Sequence, residues 1–212
     1  VINAVSDILA NANIEYVKWD MNRQLTDMPR LGYNHEYTLG YYKIMSAITE
    51  KFPNILFEGC SAGGGRFDAG VLAYMPQIWT SDNSDAIARL KMQYSTSMCY
   101  PVYSISSHVT ASPNHQCGRV TSLKTRADVA YCGTFGYELD VTKMSDEEFE
   151  EIKAQIEFEK RIQDLMCNGD LYRLINPYET NYCSWEVVSK DKKHIFVMAC
   201  NCLLYTSPSP RD

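Results

Sequence analysis

The sequence predicts an α/β fold: strands 4 to 8 of a (β/α)8 TIM barrel, followed by the start of a C-terminal antiparallel β domain. Three observations carry this expectation. Short β-rich runs alternate with helical patterns over residues 16–139, and such alternation builds βα units and a parallel sheet. Unusual polar residues gather where those runs end, the place where barrel chemistry sits. After Asp140 the alternation gives way to one long helical pattern and then to paired strand-like runs. An open doubly wound sheet of five strands is the alternative, although no run is followed by a G-x-G-x-x-G turn.

The strand runs cover residues 16–19, 55–57, 77–79, 102–105 and 135–139. Helical patterns cover 41–51, 67–74, 85–97 and 122–131, the third with Ile87, Leu90 and Tyr94 at helical spacing. Ser145 and Glu148 have the spacing of a capping box, and the helix they open carries Phe149, Ile152, Ile156, Leu165 and Met166 on one face before Asn168-Gly169 closes it. Asn176-Pro177 breaks the chain, and "CSWEVVS" and "HIFVMAC" around "KDKK" read as a β-hairpin. Residues 1–177 are therefore expected to belong to the barrel and 178–201 to open the β domain. Val1, Val5, Ile8 and Leu9 already lie on one helical face, so the first three barrel strands are expected upstream of Val1. Residues 202–212, "CLLYTSPSPRD", resemble a translated sequencing adapter and are set aside from fold reasoning.

The 212 residues are 45% hydrophobic and 12% aromatic, enough to bury a core. A formal net charge of −6 argues against nucleic acid as a partner, because phosphate binding needs clustered Lys and Arg. No apolar run reaches the roughly 18 residues of a membrane span. The eight cysteines are scattered, without a CxxC pair or zinc-ligand spacing. They read as reduced thiols of a cytoplasmic protein.

Four strand ends concentrate chemistry: "KWDMNR", "EGCSAGGGRFD", "WTSDNSD" and "SSHVTASPNHQ". Carboxylates beside Trp, Asn and small residues suit a polyhydroxylated ring, whose C–H faces stack on indole while its hydroxyls bond to carboxylates and amides. Asp20 and Asp82 stand two βα units apart, each after a tryptophan. Glycoside hydrolysis needs two such groups, about 5–5.5 Å apart in retaining enzymes. Either aspartate taken singly could equally cap the next helix. The glycine run could cradle a phosphate, but it lacks the GK[ST] ending of a P-loop and its neighbours are acidic. Cys60 as a nucleophile lacks a nearby His, and His108 and His115 could contact a ligand or tie down a loop. Asp85, immediately before a helical run, is a local rival to Asp82 whose simplest job is N-capping, and Asp68 could cap or form a salt bridge.

Taken together, "YVKWDMNR", "CSAGGGRFDAGVL", "PQIWTSDNSDAIARLKMQYS" and "SSHVTASPNHQ" resemble, in order, the motifs of glycoside hydrolase family 36, the bacterial-type α-galactosidases, over residues 1–201. The resemblance implies Asp20 as nucleophile through a covalent galactosyl-enzyme and Asp82 as general acid/base. It implies substrate contacts from Lys18, Trp19, Asn22, Cys60, Ser61, Gly63 and Trp79. The substrate would be an α-galactoside oligosaccharide of the raffinose type, with no metal or organic cofactor, no nucleic acid or membrane partner, and room for a homo-oligomer of the full-length protein. An α-N-acetylgalactosaminidase, a galactosyl transglycosylase or a non-catalytic carbohydrate-binding relative are the alternatives. The family's N-terminal sandwich and early strands have no counterpart here, so the isolated piece is expected to be inactive.

Overall fold

The first strand, β1 (Tyr16–Trp19), follows helix α1 (Ile2–Asn11) and pairs in parallel with β2 (Leu56–Gly59), which pairs in parallel with β3 (Gln77–Trp79). The computed structural model describes residues 1–23 and 25–201, and the adapter-like segment lies outside them. These elements and helix α2 (Tyr33–Lys51) make up the first of two units, Val1–Asp82. The second unit, from Asn83 onward, contains α3 (Ala86–Thr96), β4 (Ile105–Thr110), α4 (Leu123–Ala130), β5 (Thr134–Glu138) and α5 (Asp146–Asn168). It also holds the antiparallel strands β6 (Asp170–Ile175), β7 (Tyr182–Val188) and β8 (Ile195–Asn201), in the order β6-β7-β8. β4 and β5 are parallel. Among the described residues, neither unit shows the reversal of strand order that marks a doubly wound sheet.

In the first unit, Tyr41, Met45 and Ile48 recur at helical spacing along α2 and close onto Phe57, Val71, Met75 and Ile78. The helical pattern in the sequence predicts α2 only from residue 41; its earlier turns are mostly polar and exposed, start after Gly32 at φ 83°, and are held by the Arg30–Glu36 ion pair. Residues 67–74, expected as a helix, form only a 3-10 turn over Val71–Ala73. Asp68 explains the change, because its carboxylate accepts from the Val71 N–H at 2.9 Å and from the Tyr42 hydroxyl at 2.6 Å. The local turn wins over a helix.

In the second unit, residues 102–104 make a 3-10 turn after Pro101, and the strand expected at 102–105 begins only at Ile105. Ser106 and Ser107 are buried in that strand, and the Ser107 hydroxyl donates to Gln93 on α3 at 2.9 Å. Gln93 in turn donates to the carbonyls of Val129 and Cys132. The capping box of α5 is formed on both sides, with Ser145 N–H to Glu148 at 3.0 Å and Glu148 N–H to Ser145 at 3.3 Å. β6 lies upstream of the boundary expected at 178 and pairs with β7, so the antiparallel sheet starts at Asp170. Trp185, Cys183 and Met198 of this sheet pack with Leu90 and Tyr94 of α3.

Candidate active site

Strand alternation decides which side chains can meet in the first unit. Residues of a strand point alternately to the two faces of a sheet. The registers Lys18↔Glu58 and Glu58↔Gln77 therefore put Lys18, Glu58 and Gln77 on one face. Two residues further on, the same face receives Asp20, Cys60 and Trp79. The ladder continues past the strand ends, with Cys60 N–H donating to Trp19 O at 3.0 Å and Met21 N–H to Cys60 O at 3.2 Å. Trp19 faces the other way: it packs against the cluster of Tyr41, Met45 and Ile48. Trp19 is half-buried there, on the opposite face from its neighbours Lys18 and Asp20.

Asp20 is exposed, at the C-terminal end of β1. Partial desolvation pushes its carboxyl up, but this is outweighed by hydrogen bonds from the Cys60 thiol, the Asn22 amide and the Met21 backbone, and by the Lys18 charge. On balance it sits below the ordinary carboxylate range. Asn22 Nδ2 donates to Asp20 at 2.9 Å while Asn22 Oδ1 accepts from the Ala62 N–H at 2.9 Å. One amide thus ties the β1 end to the loop after β2. Burial pushes the Cys60 thiol up, a Gly63 backbone hydrogen bond offsets part of this, and Asp20 pushes it further, to about 11. The thiol is therefore a donor to Asp20 and a poor nucleophile itself.

The loop after β2 is built from its own hydrogen bonds. Ser61 N–H donates to Gly63 O at 2.8 Å, Gly65 N–H to Ser61 O at 3.1 Å, and the Ser61 hydroxyl to Met21 O at 2.7 Å. Gly64 N–H donates to Thr80 O at 3.1 Å, in the loop after β3. With the Ser61, Ala62, Gly64 and Gly65 amides all committed to acceptors in this loop or its neighbours, the loop does not offer the row of free N–H groups a phosphate cradle requires. Gly63 is a site of close approach: at φ 83°, a Cβ there would lie 2.7 Å from Ser81 Cα and 3.2 Å from the Asp82 N. Only glycine lets the two loops touch.

Asp82 is exposed beyond the end of β3, and Trp79 Nε1 donates to its Oδ1 at 3.1 Å. Lys18 Nζ lies 4.8 Å from the centroid of the Trp79 ring. Arg66 donates to both Trp19 O at 3.2 Å and Cys60 O at 2.7 Å, and stacks over Tyr41. The arginine that ends the glycine run thereby clamps the residues preceding Asp20 and following β2, a role its position in the sequence does not announce.

The unit therefore carries an ionised carboxylate held by a thiol, an amide and a lysine, and a second carboxylate held by an indole. In the second unit Asp85 caps α3, accepting from Ala88 N–H at 2.9 Å, and pairs with Arg119. It is 3% exposed, which makes it a structural group. His108 lies within β4 and meets Glu138 of β5 at 3.1 Å, while His115 is exposed. Among the described residues, no cluster of three or more His, Cys, Asp or Glu is arranged to hold a metal ion, no helix is long and apolar enough to cross a membrane, and seven cysteines are free thiols.

The melibiase family model matches residues 1–169. α-Galactosidase AgaA of Geobacillus stearothermophilus is 50% identical over 205 residues, covering 93% of this chain and 28% of AgaA. α-Galactosidase Mel36A of Lactobacillus acidophilus is 46% identical over 209 residues, covering 95% and 28%. The crystal structure of AgaA superposes with a TM-score of 0.93 at 48% identity over 98% of this chain and 30% of that one. A substituted AgaA solved with raffinose gives a TM-score of 0.89 at 50% identity, over 92% and 28%. The chain thus spans less than a third of the length of these relatives. In fold it corresponds to the barrel-and-β-domain portion of those structures, and it belongs to the melibiase family, the α-galactosidases of glycoside hydrolase family 36.

Proposed function

We propose that this chain carries both catalytic carboxylates of a retaining α-galactosidase that hydrolyses terminal α-D-galactosyl residues of raffinose-type oligosaccharides. The observation that carries the reading is the placement of Asp20 and Asp82 just beyond two strands of one parallel sheet, with Asp20 held ionised by converging donors. Asp20 attacks the anomeric carbon and forms the galactosyl ester as the glycosidic C–O bond breaks. Asp82 gives its proton to the departing oxygen. It then takes a proton from water as that water displaces Asp20, and galactose leaves with its α configuration retained. Lys18, Cys60 and Trp79 line the sugar side, Trp79 as an apolar wall and Lys18 as a donor to a ring hydroxyl. Asn22, Ser61 and Gly63 complete the pocket rim from the two loops. The bound raffinose of the substituted AgaA and the stachyose of another AgaA variant support this substrate class. We place the full-length protein in the cytoplasm and leave its assembly open to a homo-oligomer.

The test uses the full-length protein. A fluorinated galactosyl trapping reagent should label the peptide containing Asp20; a label elsewhere would sink the nucleophile assignment. Asp82→Ala should retain far more activity on activated aryl α-galactosides than on raffinose, because only the poor leaving group needs its proton. Equal losses on both would count against Asp82 as the acid.

A further inference from the structure

We infer that Glu58 is a positioning residue for this reaction, acting through Lys18 by fixing where that ammonium stands beside the Asp20 carboxylate; the inference rests on the α-galactosidase reading above. Glu58 lies in the middle of β2 and is wholly buried. A buried carboxylate is costly unless it is paired and hydrogen-bonded. The register supplies its partners from both sides, Lys18 on β1 and Gln77 on β3. The Tyr16 hydroxyl donates to Oε2, and Gln77 Nε2 reaches that oxygen at 3.4 Å and the Tyr16 hydroxyl at 3.3 Å. Lys18 Nζ faces the other oxygen, Oε1, at 3.9 Å. Neutral donors from two strands thus hold one edge of the carboxylate and orient the other towards the lysine.

Lys18 needs such a hold. Its side chain remains about one-third exposed, at 35%, and a lysine with four flexible bonds swings towards water unless its head is tethered. Here Glu58 holds the ammonium on one side and the Trp79 ring lies against it at 4.8 Å on another. Trp79 in turn donates to Asp82. Tyr16 and the buried Glu58 and Gln77 therefore form the floor of the site: they touch no reacting atom, yet they set the position of Lys18, whose charge acts on Asp20.

The experiment is a double-mutant cycle in the full-length enzyme, reading kcat and KM for a nitrophenyl α-galactoside with wild type, Glu58→Gln, Lys18→Met and the double variant. Glutamine keeps the size of the side chain and its bonds to Tyr16 and Gln77 but removes the charge that holds Lys18. Glu58→Gln should raise KM about tenfold with a smaller change in kcat, as expected when a contact made equally in the bound substrate and transition state is weakened, and within the range of couplings between touching residues. Added to Lys18→Met it should cost nothing further. The same loss in both backgrounds, or an unchanged KM, would overturn the inference, because a purely structural glutamate acts whether or not the lysine is present. Should Glu58→Gln fail to fold, Tyr16→Phe, which frees one edge of the carboxylate, must show the same dependence on Lys18, and additivity there is equally fatal. Wild-type enzyme that hydrolyses no α-galactoside would instead remove the reading on which the inference stands.

Discussion

Trp79 and Asp82 are joined by a 3.1 Å hydrogen bond from indole to carboxylate, which fixes an exposed acid to a ring that is only 3% exposed. The residue proposed to wall the site and the residue proposed to protonate the leaving group are one mechanical unit. Predictions at this bond and its neighbours all refer to the full-length enzyme.

Trp79→Phe keeps an apolar wall and removes the donor. Hydrogen bonds to charged groups contribute about 1.5–3 kcal/mol, so kcat/KM on raffinose should fall by a factor of roughly 10 to 100. Activated aryl galactosides should be affected less. Steady-state kinetics on the two substrates decide it, and identical losses would place the effect on binding instead of on Asp82.

Asn22→Ala removes one of the donors that hold Asp20 below the usual carboxylate range. Losing a bond to the ionised form raises the pKa, so protonation disables the proposed nucleophile at a higher pH. The acid limb of kcat/KM, which reports the free enzyme, should move upward. An acid limb that stays in place or moves down would contradict the role given to Asn22.

Gly63→Ala puts a carbon 2.7 Å from Ser81 Cα at a positive φ. The left-handed conformation alone costs about 1–2 kcal/mol for a residue with a side chain, and the loop bearing Asp82 must also shift. A misplacement of about 1 Å can cost about 100-fold in rate. Thermal melts and kinetics together should show a modest loss of stability and a larger loss of kcat.

Asp85→Ala should behave in the opposite way. It removes the N-cap of α3 and leaves Arg119 without its carboxylate, a loss of about 2 kcal/mol in stability. Chemical denaturation should register this, while folded enzyme keeps its leaving-group profile. A profile matching that of Asp82→Ala would reinstate Asp85 as the acid.

Much of the first unit is legible in the sequence. β1 and β3 occupy the residues expected of them because each is a short β-rich run stopped by polar residues. The two aspartates are visible at their ends for the same reason. What stayed hidden depends on neighbours remote in sequence. Trp19 reads as a neighbour of Lys18 and Asp20, and only the register shows that its half-buried ring lies on the other face of the sheet, against Tyr41, Met45 and Ile48. Glu58 interrupts an apolar run, and only the parallel pairing brings Lys18 and Gln77 to it. The strand pattern ends before Ser106, Ser107 and His108 because they read as polar loop, whereas β4 runs through them and a buried network through Gln93 satisfies Ser107. β6, "DLYRLI", shows no clean alternation because several of its apolar side chains are exposed.

Cys60 carries a consequence for how the enzyme survives its surroundings. A thiol pushed to about 11 exists as thiolate to only about one part in ten thousand near neutral pH, and the thiolate is the form that oxidants and alkylating agents attack. A cysteine hydrogen-bonded to the proposed nucleophile would ordinarily be a point of chemical damage. Here burial first, and the Asp20 charge after it, keep the proton on the sulfur, and the enzyme should retain activity under mild peroxide or iodoacetamide without a reductant.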